Sequence, residues 1–518
     1  MENELVTATG PKAGRKEWIA LAVLALPLLL VSMDVSVLYF AVPFISADLH
    51  ASATEQLWIF DMYGFVLAGL LITMGSLGDR IGRRRLLIGG AFAFGLASLA
   101  AAYAQNPGQL IGARAVLGVG GATLMPSTLA LIRNMFHDPA QRGKAIAVWS
   151  AVMMGGVTLG PVISGILLEH FWWGSVFLIN LPAMVLLIVL APALLPEFRS
   201  PSAERFDLLS SALSLASVLP VIYGIKKLAA DGFGTLPVVS VAVGLVVGVV
   251  FVRRQLRAPD PMIDLAMFRN KVFSGAIAAN TVATFGVIGN AVFMTQYLQL
   301  VRGMSPLTAA LWSLAPSVLV AGAAPAASSM AQKMPVSRVL AIGFLAGACG
   351  FGVVSQVHAD SPLVLLLVGA GVLAAGMVMV MTLVTDVVVG SVAPERAGTA
   401  SAVSETFSEL GGALGIAVLG SIATAAYRAD LHVPASVPGA AASAAREGLP
   451  GAVGAAAQLP GQLAGTLLDV ARDSFSHSMD VVAVVGAALL LATAVLVTAL
   501  GSRTPATEEQ PAAEEVAA

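Results

Sequence analysis

Apolar residues recur in long runs separated by short polar or charged stretches. The runs fall at about 18–42, 56–77, 86–105, 109–131, 143–168, 174–195, 207–228, 235–252, 273–299, 307–331, 338–357, 362–388, 399–424 and 479–501. About 20 apolar residues in a helix cross a hydrocarbon core about 30 Å thick. The pattern therefore predicts fourteen transmembrane helices. The 207–228 run is the least regular, because Lys226 and Lys227 crowd its end. The first run follows Lys12, Arg15 and Lys16 but does not read as a signal peptide. It is longer than such a core, contains Asp34 and is followed by further spans.

Composition agrees with a chain built for lipid. Hydrophobic residues make up 57% of 518 positions and charged residues 11%, against about 25% charged in an average soluble domain. Fourteen spans would use about 280 residues. This excludes a disordered chain, a soluble enzyme with a membrane tail and a nucleic-acid binder that relies on a basic surface. A net charge of -2 supplies no global electrostatic handle. Cys349 is the single cysteine, so neither an intrachain disulfide nor a thiolate metal cluster can form. The six histidines lie near span ends or in loops with no H-E-x-x-H pair. No phosphate-binding G-x-x-x-x-G-K-[ST] loop occurs either. Neither metal nor cofactor is expected, and the drive is expected to be something other than ATP.

Orientation follows from the basic residues, which concentrate in cytoplasmic loops. With the N-terminus inside, Lys226, Lys227, Arg302, Arg428, Arg446 and Arg472 lie outside, Arg114 lies within a span, and the other 21 of 28 lie inside. Both termini are then cytoplasmic. The chain also repeats itself weakly: Pro139, Arg142, Gly143 and Ala145 are echoed by Pro394, Arg396, Gly398 and Ala400. The spacing suggests two homologous halves with two helices inserted between them. The expected layout is an N-terminal tail (1–17), a six-helix bundle (18–200), two inserted helices (201–256), a second six-helix bundle (257–501) and an acidic, disordered cytoplasmic tail (502–518). The second bundle contains an outer loop at 425–478. Within that loop Leu459, Leu463, Leu467, Ala471 and Phe475 recur every fourth residue, which suggests a short amphipathic helix, a flexible linker being the competing reading.

Ionisable side chains inside apolar spans carry the chemistry, since each costs at least about 2.5–3.5 kcal/mol near a helix centre unless paired or hydrated. Five stand out: Asp34, Asp61, Arg114, Glu405 and Glu409. Asp386, near a span end, can reach water. Asp34 and Asp61 should lie at similar depth in the outer half of the membrane. There their mutual repulsion favours holding a proton; helix capping or bonding to a neighbouring helix is the alternative role. Glu405 and Glu409 share a helix face, which cannot look at lipid and should line a water-filled path. For Glu405 a salt bridge to Arg396 at the interface competes with that reading. Arg114 needs an anionic partner, and Asp34 or its hydrogen-bond network is the one expected, in a switch that couples protonation to helix movement. Candidates for the wall of a cavity accepting flat or lipophilic cations are Tyr63, Trp149, Met153, Met154, Phe285 and Trp312. Ordinary packing against lipid or protein is the alternative for each.

Between the second and third runs the chain reads Gly75-Ser76-Leu77-Gly78-Asp79-Arg80-Ile81-Gly82-Arg83-Arg84-Arg85. This resembles the loop signature G-x-L-x-D-R-x-G-R-[RK] of the major facilitator superfamily. Arg114-Ala115-Val116-Leu117-Gly118-Val119-Gly120-Gly121-Ala122 is similar to the family's R-x-x-Q-G-x-G-x-A element, with Leu117 at the usual Gln. Gly156-Val157-Thr158-Leu159-Gly160-Pro161-Val162-Ile163-Ser164-Gly165 resembles the antiporter motif G-x-x-x-G-P-x-x-G-G, with Ser164 in place of one Gly. Met33-Asp34-Val35-Ser36-Val37 and Phe177-Leu178-Ile179-Asn180-Leu181-Pro182 look like the fourteen-helix drug:H+ antiporter branch. In the second half the loop signature is degraded to Gln332-Lys333-Met334-Pro335-Val336-Ser337-Arg338, and Ala321-Gly322-Ala323-Ala324-Pro325 carries no acid.

The resemblance implies an all-α integral membrane protein with the major-facilitator fold, 14 helices arranged 6 + 2 + 6. Gly75, Gly78, Asp79, Arg80, Gly82, Arg83 and Arg84 would form its gating motif. Gly156, Gly160, Pro161 and Gly165 would form its antiporter helix motif. Physical reasoning concurs on the latter, since paired glycines let helices approach closely and proline kinks a span. The expected activity is proton-coupled multidrug efflux of lipophilic cations, including quaternary ammonium compounds, dyes and biocides, from the plasma membrane. The expected partners are the lipid bilayer, protons and small hydrophobic or cationic substrates, with no nucleic acid, and the expected state is a monomer. Export of an endogenous antibiotic, metabolite or lipid is the alternative. An intramembrane aspartyl protease using Asp34 and Asp61 is more distant, because the order Asp61-Met62-Tyr63 does not supply its Y-D pair.

Overall fold

The structure is a computed structural model that describes residues 12–199, 208–231, 234–258, 261, 265–392 and 397–501. The acidic tail, the Pro394-Glu395-Arg396 half of the repeated loop and the expected Glu405–Arg396 bridge involve residues outside this set. Every regular element among the described residues is helical. The first group comprises α1 (Arg15–Leu49), α2 (Ala53–Ile81), α3 (Arg83–Ala102), α4 (Pro107–Met135), α5 (Pro139–His170) and α6 (Asn180–Leu194). Two helices follow, α7 (Leu208–Asp231) and α8 (Thr235–Arg257). The last group opens with α9 (Lys271–Gln296), which ends in a π turn at Tyr297–Val301. It continues with α10, a span of short helices over Pro306–Ala331. It closes with α11 (Val336–Val354), α12 (Leu363–Gly390), α13 (Ala397–Asp430) and α14 (Gly461–Gly501).

Local signals set several of these boundaries. Ser52 caps α2 in a reciprocal box with Glu55, whose carboxylate accepts from the Ser52 N–H at 2.9 Å. Asn106, Asp138 and Asn270 accept from the first-turn amides of α4, α5 and α9. By length and composition twelve helices among the described residues can cross a membrane, or thirteen when α2 counts as one span with its 53° bend between Thr54–Leu71 and Thr73–Ile81. α7 offers only the shorter apolar stretch Ala212–Gly224.

Helices pack in two groups. α1 lies on α5, and α2 and α3 lie on α4; in the second group α9 lies on α12 and α13, and α11 on α12 and α14. The pair α7–α8 packs on itself, while α7 also touches α2 and α13. There Phe65, Ile222, Ala413 and Ala417 form a separate buried cluster with Trp58 against it. The groups meet near the turn at 50–52. Leu57 of α2 fills the space left by Gly420 of α13, and about two turns deeper Gly64 faces Ala413. Gly165 of α5 sits against the backbone of Pro306 and Leu307 at the start of α10.

The segment between α13 and α14 is folded over this same end. Helices Gly439–Arg446 and Leu449–Ala456 bury Ala441, Ala445, Leu449, Ala452 and Ala456. Tyr427 Oη donates to the Ala445 carbonyl at 3.0 Å, and Arg428 pairs with Glu447 at 3.2 Å. The four-residue repeat of the loop is helical from Leu463 onward, as the first turns of α14, with Leu467, Ala471 and Phe475 buried; Leu459 precedes the helix.

Candidate transport site

The site forms where α1, α2 and α4 converge. Asp34 of α1 and Arg114 of α4 make an ion pair that is closed to solvent, with side-chain exposures of 2% and 0%. The guanidinium has further partners. Its Nε donates to the Ile59 carbonyl at 3.0 Å and an Nη donates to the Phe60 carbonyl at 3.3 Å. Its flat face lies over the Tyr63 ring, 4.8 Å from Cζ to the ring centroid. Tyr63 Oη in turn donates to the Val31 carbonyl at 3.4 Å, back on α1. One arginine thus ties three helices together through a carboxylate, two carbonyls and a ring. A buried cation this deep is tolerable only with such a set of partners, because an unpaired charge in low dielectric is prohibitively costly. α4 can approach Tyr63 this closely because Gly118 and Gly121 face it; a side chain at either would strike the tyrosine.

Asp61 directly follows Phe60, whose carbonyl Arg114 holds, so it lies at the depth of the ion pair; it is 1% exposed. Tyr39, five residues beyond Asp34 on α1, packs its ring against Phe60 at 5.7 Å. Its hydroxyl is buried without a hydrogen-bond partner among the described residues. Charges on Glu409, Asp61 and Arg114 act on that hydroxyl, and Glu409 also acts on Tyr63. Glu409 of α13 is therefore within electrostatic reach of the α1–α2–α4 site. Glu405, half-buried one turn away on the same helix, is coupled electrostatically to Glu409.

The glycines of α5 serve the α1 contact. Gly156 faces Ser32 and the Leu29 carbonyl, Gly160 faces Ser36 and the Met33 carbonyl, and Ser164 Oγ donates to the Val37 carbonyl at 2.9 Å. This seam runs along the stretch of α1 that carries Asp34. Pro161 lies within α5, half-buried, and Gly165 marks the contact with α10.

The α2–α3 turn is held by ions. Arg83 bridges back to Asp79 at 2.6 Å within the same motif, and Gly78 leaves room for the Arg83 stem. Gly82 has φ +113°, a conformation glycine adopts readily. Arg84 and Arg85 both reach Glu197, at 3.7 and 3.6 Å, and the Arg84 guanidinium also donates to the carbonyls of Pro192 and Leu195. Arg80 is exposed, and Gly75 lies near Pro126 of α4.

Among the aromatic and sulfur candidates, Tyr63 belongs to the ion-pair site. Trp149 Nε1 donates to Thr128 Oγ1 at 3.1 Å, tying α5 to α4. Phe285 supports the packing of α9 on α13, where its backbone faces Gly415. Met153 is half-buried, Trp312 is 45% exposed on α10, and the Met154 side chain lies outside the described residues. Sequence reasoning missed Tyr39 and Glu197. The spacing of Tyr39 from Asp34 was a usable signal; Glu197 looked like any acid in a loop.

Two groups of helices, an ion pair buried between spans and glycine seams between helices fit a membrane transporter built of two helix bundles. Residues 24–416 match the Major Facilitator Superfamily, and the chain belongs to that family. It is 44% identical over 491 residues to the multidrug efflux pump LfrA of Mycolicibacterium smegmatis, covering 95% of this chain and 97% of that one. It is 34% identical to the methyl viologen resistance protein SmvA of Salmonella typhimurium, covering 92% and 97%. It is 32% identical to the tetracenomycin C resistance and export protein of Streptomyces glaucescens, covering 93% and 91%. In fold it is similar to a bacterial homolog of the human lysosomal transporter Spinster, with TM-score 0.67 and 15% identity, covering 96% and 100%. The chain is a multi-pass membrane transporter, not an enzyme.

Proposed function

We propose that this protein is a proton-driven exporter of lipophilic cations in the cell membrane. The observation that carries the reading is the buried Asp34–Arg114 pair, with Asp61 beside it and the charge of Glu409 reaching the same tyrosines. In the resting arrangement Arg114 neutralises Asp34. A proton on Asp34 would loosen that pair and free α1 to shift against α2 and α4, which Arg114 still ties together through the carbonyls of Ile59 and Phe60. A cation entering the cavity is favoured once the carboxylates, Asp34 included, have given up their protons, so cation and proton compete. Opposed binding of this kind, with one bundle rocking on the other, yields antiport. Methyl viologen, named for the SmvA relative, is a flat aromatic dication that suits such a site.

The span arrangement belongs to the same proposal: six, two and six helices with both termini in the cytoplasm. Helical structure in each of the fourteen apolar runs supports it, the 307–331 run as a series of short helices, as does the basic bias of one set of loops. The 50–52 end is then external, and the contacts of Leu57 with Gly420 and of Gly165 with Leu307 close the outer side.

Ethidium efflux from a pump-deficient bacterial host, with and without a protonophore, tests the reading. Efflux that needs the chain and stops with the protonophore is expected; efflux indifferent to the protonophore would remove proton drive. Likeness to the tetracenomycin C export protein favours one second reading, export of a polycyclic antibiotic. Transport of an uncharged aromatic compound in place of ethidium would select it.

A further inference from the structure

The two helices between the bundles leave a cleft where α7 begins and α8 ends. Its walls are Leu209, Leu213 and Val250, and its rim is Arg253, Arg254 and Arg257. Arg254 is committed to the helix pair: its Nε donates to Ser210 Oγ at 3.1 Å, and Gln255 Nε2 donates to the same hydroxyl at 2.6 Å. Arg253 and Arg257 differ. They stand one turn apart on one face of α8 and are exposed, and no ion pair is recorded for either among the described residues. Leading up to them, α8 presents an uncovered apolar strip that includes Val246, Val249, Val250 and Leu256, each about half exposed or more.

A row of exposed apolar side chains running into two adjacent guanidinium groups has the polarity of a phospholipid: acyl chain, then phosphate. We propose that the α7–α8 cleft binds an acidic phospholipid, with the headgroup phosphate between Arg253 and Arg257 and an acyl chain along Val246, Val249 and Val250. Charge complementarity selects the class. A phosphatidylcholine brings a quaternary ammonium group to a site already holding three cations, whereas a phosphatidylglycerol or cardiolipin brings only negative charge. Occupancy has a route to transport, because α7 lies against α2 and α13 where the two bundles meet. This inference does not depend on which compound is exported.

The test uses the full chain in detergent, exchanged against equimolar phosphatidylglycerol and phosphatidylcholine and weighed intact by native mass spectrometry. The wild type should retain the acidic lipid over the zwitterionic one by about tenfold, and the Arg253→Gln/Arg257→Gln variant should lose most of that preference. A control pair at the N-terminus of α1, Arg15→Gln/Lys16→Gln, should keep it. Both pairs are exposed, so the folded mass and thermal midpoint should stay at wild-type values. Equal retention of both lipids overturns the proposal. That would follow if Glu204, Asp207, Asp260 or Asp264, close in sequence but outside the described residues, neutralised the arginines. An unchanged preference in the Arg253/Arg257 variant also overturns it. So does loss of the acidic lipid upon addition of inorganic phosphate at millimolar concentration, which would indicate a free-anion site. A dimer mass that the variant abolishes would assign the strip to a second copy of the chain and likewise overturn it.

Discussion

Replacing Asp34 by asparagine removes one negative charge from a site where the partner has no access to water. The Arg114 guanidinium then keeps the amide oxygen of the new side chain, the carbonyls of Ile59 and Phe60 and the face of Tyr63. Breaking a buried pair by removing one charge costs about 3–5 kcal/mol. The surviving charge-assisted hydrogen bonds, each about 1.5–3 kcal/mol, return part of this. A net loss of about 2–4 kcal/mol is expected. The double change Asp34→Asn/Arg114→Gln leaves no uncompensated charge and should recover most of that loss. Transport should behave differently: both variants should fail to drive ethidium into inside-out vesicles energised by a proton gradient. Thermal unfolding of the purified protein reads the first quantity and dye fluorescence quenching reads the second. The reasoning is refuted if the single variant is as stable and as active as the wild type, or if the double variant pumps.

Three further outcomes follow from the same geometry. Glu409→Gln removes a charge within electrostatic reach of the ion-pair site; a unit charge about 10 Å away at an effective dielectric of about 20 is worth about 1.7 kcal/mol. It should raise the KM for a monovalent cation more than tenfold in vesicle assays while leaving an uncharged substrate unaffected, and equal effects on both would place Glu409 outside the substrate field. Tyr39→Phe removes a buried hydroxyl without a partner among the described residues. It should leave thermal stability unchanged or raise it by about 1 kcal/mol but slow proton-driven efflux; full activity would make the tyrosine a packing residue only. Gly156→Ala sets a methyl group against Ser32 and the Leu29 carbonyl and should destabilise by about 1–3 kcal/mol. Its neighbour Gly155, with nothing within 4 Å of an added methyl group, should accept alanine at no cost, and the two unfolding midpoints compare them directly.

The ion-pair site was legible in the sequence because charge inside an apolar run is rare and needs a reason. Asp34, Asp61, Arg114 and Glu409 each interrupted a run that was otherwise free to face lipid. The motif at the α2–α3 turn was legible for its glycine spacing, yet its main anchor outside the motif, Glu197, was not. An acid in a loop announces no partner until the chain brings Arg84 and Arg85 to it. Tyr39 was hidden for the opposite reason, since an aromatic residue in a span looks like packing until its ring is found against Phe60, whose carbonyl Arg114 holds. Composition left the segment between α13 and α14 open between helix and linker. Its Ala- and Gly-rich stretch reads as linker, and only burial of Ala445, Leu449 and Ala452 against neighbouring helices makes it a cap. The repeat of Leu463, Leu467, Ala471 and Phe475 did predict a helix. Its continuity with α14 was obscured by Asp469, Arg472, Asp473, His477 and Asp480, which broke the hydropathy signal without breaking the helix.

The central claim is that protons and lipophilic cations exclude each other at the carboxylates around Arg114. Linkage makes that claim measurable without any membrane: if a cation displaces protons, protons must lower its affinity by the same factor. Tetraphenylphosphonium is added to the purified protein in weakly buffered detergent solution containing a pH-sensitive dye. The account predicts release of about one proton per cation bound in the wild type and much less in the Asp34→Asn variant. Saturable binding with no proton release, or release that Asp34→Asn leaves unchanged, would contradict it.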